Sequence, residues 1–172
     1  MSLLETILRG YVLDRDGLHG VAHWGRVLEN GLRLAPLTGA DPRVVTLFAL
    51  FHDARRENDD HDPEHGARGA ALARELREAG ERYGVLHDLP DDSFQLLIAA
   101  CTLHTSARSH DDVTVATCFD ADRLDLPRCG IVVDPVRLCT APARNPEIIQ
   151  WATSRSRRSH AGEGLRALWV ID

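Results

Sequence analysis

The residues that could do chemistry begin where an apolar run stops. Leu47-Phe-Ala-Leu-Phe51 leads directly into His52-Asp53, and a dense polar stretch follows as far as His65. An imidazole nitrogen beside a carboxylate oxygen suits zinc, manganese or iron better than a soft, thiolate-binding ion. Neighbours on a helix point about 100° apart, so the pair can close on one ion only where both side chains reach inward. Further histidines flank the pair. His19 and His23 are four apart, which on a helix sets both rings on one face, and His65 and His104 follow downstream. Nine histidines are many for this length, and histidine is the commonest metal ligand.

The elements that must position these groups read as helices. Ser2–Leu13 carries Leu3, Leu4, Ile7 and Tyr11 at helical spacing, and Asp14–Gly17 is a turn. His19–Leu34 forms a second helix, followed by a loop at Ala35–Ala40 that contains Pro36 and Gly39. Asp41 is a helix N-cap with Pro42 at the first helical position, opening an apolar third helix that ends at His52. Glu57–Asp62 is acidic enough to be an exposed loop, and Asp62-Pro63 opens a fourth helix running to Gly80. Residues 81–89 are ambiguous. Asp91–His104 and Val113–Leu126 are further helices, separated by a polar loop at Ser106–Asp112. From Pro127 the chain is irregular, with a weak strand signal at Ile131-Val132-Val133 and a helix over Glu147–Arg157. The segment Ser154–Asp172 could pack on the core, dock a partner or stay loose. The pattern predicts an all-α protein of one domain, with a core of about residues 14–126 and a C-terminal extension over 127–172.

Composition limits the function. A chain of 172 residues, 44% hydrophobic and 27% charged, can bury one sizeable core. A net charge of −6 and a pI of 5.8 argue against a general nucleic-acid polymer as partner. No apolar run approaches the ~18 residues of a membrane span, and no export signal is visible, so no membrane association and a cytoplasmic location are expected. All 20 basic residues are arginines, which excludes a lysine Schiff base and a phosphate-loop lysine. Cys101, Cys118, Cys129 and Cys139 form no Cys-x-x-Cys pair and read as reduced thiols.

Four fragments stand in order: His23 in His-Trp-Gly-Arg-Val, the pair His52-Asp53, His65 in His-Gly-Ala-Arg-Gly-Ala, and Asp122 in Asp-Ala-Asp-Arg-Leu-Asp. The chain from about His19 to Asp125 thereby resembles the HD-domain metal-dependent phosphohydrolase superfamily, whose pattern is His … His-Asp … Asp on separate helices of an all-α bundle. The resemblance implies an HD-type helical bundle with His23, His52, Asp53 and Asp122 as metal ligands. Asp120 competes with Asp122 for the last position. Two residues apart on a helix, their carboxylates point about 200° from each other, so one ion cannot take both. His65 resembles the first extra histidine of relatives that hold two ions, and His104 fits the second, which leaves one ion or two. The double-histidine form of some relatives and the Gly-Tyr-Pro signature of cyclic dinucleotide phosphodiesterases are both absent.

The implied chemistry is hydrolysis of a small phosphorylated substrate, a phosphoester or nucleotide, by a metal-activated water. The cofactor would be a divalent transition metal (manganese, iron, cobalt or zinc, with magnesium possible). Asp53 would bridge two ions and act with Arg56 in catalysis. Arg55, Arg56 and His19 are the candidates for substrate binding, since a guanidinium holds phosphate in bidentate fashion. Two other classes share the same residues. Diiron oxygenases of the superfamily use the six-ligand set, and a non-catalytic helical binding module could retain it.

Overall fold

The computed structural model describes residues 2–80, 83–157, 164 and 166–167, which fold as an all-helical single domain. Eight α-helices are present among them: α1 (Leu3–Arg9), α2 (Val21–Thr38), α3 (Pro42–Phe51), α4 (His65–Glu78), α5 (Gly84–His87), α6 (Asp91–Leu103), α7 (Val113–Arg123) and α8 (Pro146–Arg157). Two short 3-10 turns, Leu126–Cys129 and Pro135–Arg137, interrupt the segment between α7 and α8. No helix of the described residues is long and apolar enough to cross a membrane.

Helix α3 is the central element. Asp41 caps its first turn by accepting from the Arg43 amide, and Pro42 supplies the preset first position. Val44, Val45 and every residue from Leu47 to Phe51 are buried, because α2, α4, α6 and α7 surround the helix. The apolar run thus delivers His52 and Asp53 to the middle of the protein rather than to its surface. Two glycines set the approach of α4. A Cβ at Gly66 would collide with the Cys101 carbonyl of α6, and one at Gly69 with the Phe51 carbonyl at the end of α3. Only the absence of these side chains lets His65 come down onto the His52-Asp53 junction.

Several boundaries differ from the sequence expectation. Helix α2 begins at Val21, so His19 sits in the preceding turn, where the Val21 amide bonds to the Arg15 carbonyl at 2.9 Å. The helix also runs through Pro36, which falls in its last turn, and stops at Gly39 in the left-handed conformation (φ 82°). Helix α1 ends at Arg9 and α7 at Arg123, both shorter than the apolar spacing implied. Ile131-Val132-Val133 forms no strand. In the acidic loop, Asp62 is buried rather than exposed: Arg68 grips both its oxygens at 2.7 and 2.6 Å and the Glu57 amide donates at 2.8 Å.

The segment after α7 packs on the core. Leu138, Ala143, Ile148 and Ala152 join Leu34 and Leu124 in a second buried cluster. Helix α8 is pinned to α2 by Arg155, which pairs with Glu29, and by Trp151, whose ring takes the guanidinium groups of Arg33 and Arg155 at 4.3 and 4.4 Å from its centroid. Gly164 returns to α2 and donates its amide to Glu29. Arg158 and Trp169–Ile171 of the tail lie outside the described residues.

Candidate metal centre

Five elements converge on one buried point. His23 comes from the first turn of α2, His52 and Asp53 from the end of α3, His65 from the start of α4, His104 from the end of α6 and Asp122 from the last turn of α7. All four imidazoles and Asp53 are buried to 4% exposure or less. The His23 Nε2 lies 3.0 Å from the His52 Nε2, and the His65 Nε2 lies 2.9 Å from the His104 Nε2. Asp53 stands between the two pairs: its Oδ2 is 3.6 Å from His23 and 3.8 Å from His52, and its Oδ1 is 3.1 Å from His65. The Asp122 Oδ1 is 3.5 Å from the His23 Nε2.

The outward nitrogen of each ring fixes what the inward one carries. The His23 Nδ1 contacts the Asp125 carboxylate at 2.7 Å, and the His104 Nδ1 contacts the Cys101 carbonyl at 2.7 Å. The His52 Nδ1 contacts the Phe48 and Ala49 carbonyls at 3.2 Å, and the His65 Nδ1 contacts the Asp62 carbonyl. These oxygens can only accept, so in the neutral rings of His23, His52 and His104 the proton sits on Nδ1 and the Nε2 lone pair turns inward. His65 differs, because its Nε2 also lies 3.1 Å from the Asp53 Oδ1 and its Nδ1 3.1 Å from the Arg56 NH1. The inward lone pairs of His23 and His52 cannot hydrogen-bond to each other, and a cation shared between them would relieve their close approach. Two nitrogens bound about 2.1 Å from one ion stand roughly 3.0–3.4 Å apart in octahedral or tetrahedral geometry. The observed 3.0 and 2.9 Å lie at and just below the short end of that range. Buried nitrogen and carboxylate donors in groups His23–His52–Asp122, Asp53–His65–His104 and His19–His23–Asp53 can therefore hold metal.

Electrostatics favours the same state. Burial pushes the His23 imidazolium down to about 4, with the Arg128 guanidinium adding to the effect. Burial likewise brings His104 to about 4 and lowers His52. Burial alone would raise Asp53, but the surrounding rings of His52, His19 and His65 hold its carboxyl well below the usual range. Asp122 is also lowered, its desolvation outweighed by His23 and His52. His65 runs the other way: burial lowers it, but the Asp53 carboxylate and the Asp62 carbonyl raise it above the ordinary value. His23, His52 and His104, with the ionised carboxylates, present the forms that bind a cation.

The remaining sequence candidates divide. His19 reaches the cluster from its turn, with Nδ1 2.8 Å from the Asp53 Oδ2. Arg56 also reaches it, with NH1 3.6 Å from the Asp53 Oδ1, while its Nε and NH2 donate to the Asn58 and Asp60 carbonyls. Arg55 is not brought there; it turns away to the Ile7 carbonyl at the end of α1 and to the Ala54 carbonyl. Asp120 faces the opposite way from Asp122 and accepts from the Cys139 and Thr140 amides and the Thr140 hydroxyl.

Three neighbours were not singled out from the sequence. Asp125 orients His23 and also accepts from Arg26 at 2.7 Å and from the Ser156 hydroxyl of α8. Arg128 lies beside them, with NH2 3.4 Å from the His19 Nδ1. Asp125 was within reach of sequence reasoning, since a position three beyond Asp122 stays on the same side of a helical turn. Arg128 and Ser156 carried no local signal, because their contacts depend on how the extension folds back. Comparison with protein-family models, curated proteins and solved structures gives no match for this chain.

Proposed function

We propose that this protein is a metal-dependent phosphohydrolase of the HD-domain type, acting on a small phosphoester through a binuclear centre. The observation that carries the reading is the convergence of four Nε2 atoms in two close pairs, with both oxygens of Asp53 turned to them. His23, His52, Asp53 and Asp122 would hold one ion, and His65, His104 and the other oxygen of Asp53 a second. When bound, divalent ions supply Lewis-acid polarisation of a phosphoryl oxygen and a water acidified to near neutrality.

The chain's own groups complete the arrangement. Asp125 keeps the proton on the His23 Nδ1 and so keeps its Nε2 free to bind. Arg56 is braced by two loop carbonyls with one N–H-bearing nitrogen aimed at the cluster, a fixed positive charge suited to a phosphoryl oxygen. His19 donates from its Nδ1 to Asp53 from the side of the turn. The test is phosphate release from nucleotides and generic phosphoesters by protein loaded with manganese, cobalt or magnesium. Release that is lost in Asp53→Asn supports the reading; bound iron with oxygen uptake and no phosphate release would assign the site to oxygenase chemistry instead.

A further inference from the structure

A cavity of about 940 Å³ opens from the metal centre, with His104 and Asp122 in its wall. Its other walls are the loop after α6 and the stretch 131–138 of the C-terminal extension. That stretch is unusual. Ile131, Val132 and Val136 are 51%, 79% and 69% exposed, although the same segment buries Val133 and Leu138. Three large apolar side chains within six residues, all on the cavity, form a local surface that water solvates poorly.

The two walls are held in place. The Arg123 NH1 donates to the Arg108 carbonyl at 2.8 Å and to the Arg137 carbonyl at 2.9 Å, and its NH2 donates to the Ala107 carbonyl at 2.7 Å. Arg123 thus ties the loop to the extension, and its guanidinium is occupied by main-chain acceptors. The exposed side chain of Arg108, also on the cavity, has no hydrogen-bond or ion-pair partner among the described residues. Asp134 and Arg137 also lie on the extension's wall, where they pair with each other at 3.8 Å. The cavity is therefore preformed, mainly apolar along the extension, faced by the Arg108 cation from the loop, and continuous with His104 and Asp122.

We infer that this cavity seats the alcohol part of the substrate, and that the substrate is a phosphomonoester whose leaving group is apolar or planar and about the size of a nucleoside or naphthyl group. This rests on the phosphohydrolase reading for the identity of the reacting group. The leaving group lies on Ile131, Val132 and Val136 while the phosphoryl end meets the centre at His104 and Asp122. Arg108 adds positive charge that suits an anionic ester. The extension beyond α7 is thereby the specificity element, distinct from the helices that carry the ligands.

The test compares binding of two non-hydrolysable probes, 1-naphthylphosphonate and methylphosphonate, to the metal-loaded full chain by calorimetry. The naphthyl compound is expected to bind at least about tenfold more tightly, a ratio typical of filling an apolar pocket. The double variant Val132→Ser, Val136→Ser should abolish that preference and leave methylphosphonate affinity unchanged. Both side chains are largely exposed, so folding is not at stake. Equal binding of the two probes, no binding of either, or a preference that survives the double variant overturns the proposal. Phosphate release from 1-naphthyl phosphate and glycerol phosphate is read separately. A naphthyl binding preference lost in the variant, with no hydrolysis of either ester, would keep the pocket and remove the phosphohydrolase reading.

Discussion

Loading the protein with a divalent transition metal is expected to raise its melting temperature by an amount the structure helps to set. In the metal-free protein two pairs of imidazole nitrogens face each other at 3.0 and 2.9 Å beside two ionised carboxylates, all at the junction of α2, α3, α4, α6 and α7. The unfolded chain scatters these six groups, so an ion binds the native state far more tightly. At a concentration a hundred times its dissociation constant, one ion stabilises the fold by about 2.7 kcal/mol. For a chain of this length each kcal/mol moves the midpoint by about 2–4 °C, which gives roughly 5–11 °C per ion. A second ion sharing Asp53 should bring the total to about twice that. Scanning calorimetry with zinc, manganese or cobalt, and again after chelation, measures the shift directly. Asp53→Asn keeps the shape of the side chain but removes the one carboxylate facing both pairs, so its shift should fall below about 2 °C with the far-UV signal intact. Identical midpoints with and without metal, or a wild-type shift in Asp53→Asn, would refute the reasoning.

Other consequences are open to simpler measurements. The metal-free protein should lose stability on acidification. His23 and His104 titrate near 4 when folded against 6.5 for the free side chain, so the unfolded chain takes up protons first. Their contribution is complete above pH 6.5, declines as pH falls and levels off below about 4, a change of roughly 3 kcal/mol for each histidine. A urea midpoint that stays constant from pH 7 to 5 contradicts this. Gly69→Ala forces α4 away from the Phe51 carbonyl and should cost about 1–3 kcal/mol, with weaker metal binding because His65 moves with the helix. An unchanged urea midpoint and metal affinity would mean that α4 does not rest on α3 as described. Asp125→Asn should lower metal affinity roughly 10–100-fold by releasing the His23 ring from its orientation. A competitive chelator titration that reads wild-type affinity would remove Asp125 from that role.

Much of the fold lay in local pattern. The cap at Asp41-Pro42 and the unbroken apolar run to Phe51 already define a central buried helix ending at His52-Asp53. The glycines at 66 and 69 sit at a spacing that says little alone, and their importance appears only once the backbone of α3 and α6 lies against them. His19 shows where periodicity misleads. Its four-residue spacing from His23 suggests a shared helical face, yet a turn intervenes and the ring reaches Asp53 by another route. Arg55 and Arg56 are indistinguishable in sequence, and the turn after α3 sends one to α1 and the other to the cluster. Asp120 and Asp122 separate as helical geometry requires, one binding the extension's backbone and the other facing His23. Ile131-Val132-Val133 gives a weak strand signal, because β-branched residues signal strand whether they pair with another chain segment or line a cavity.

The most direct measurement is metal content by elemental analysis of the purified chain, alongside samples stripped and reloaded with manganese, iron, cobalt or zinc. Two ions per chain are expected, falling to about one in His65→Ala or His104→Ala and to about none in Asp53→Asn. A protein that retains no metal under any loading condition would contradict the assignment of the buried histidine and aspartate cluster as a metal centre.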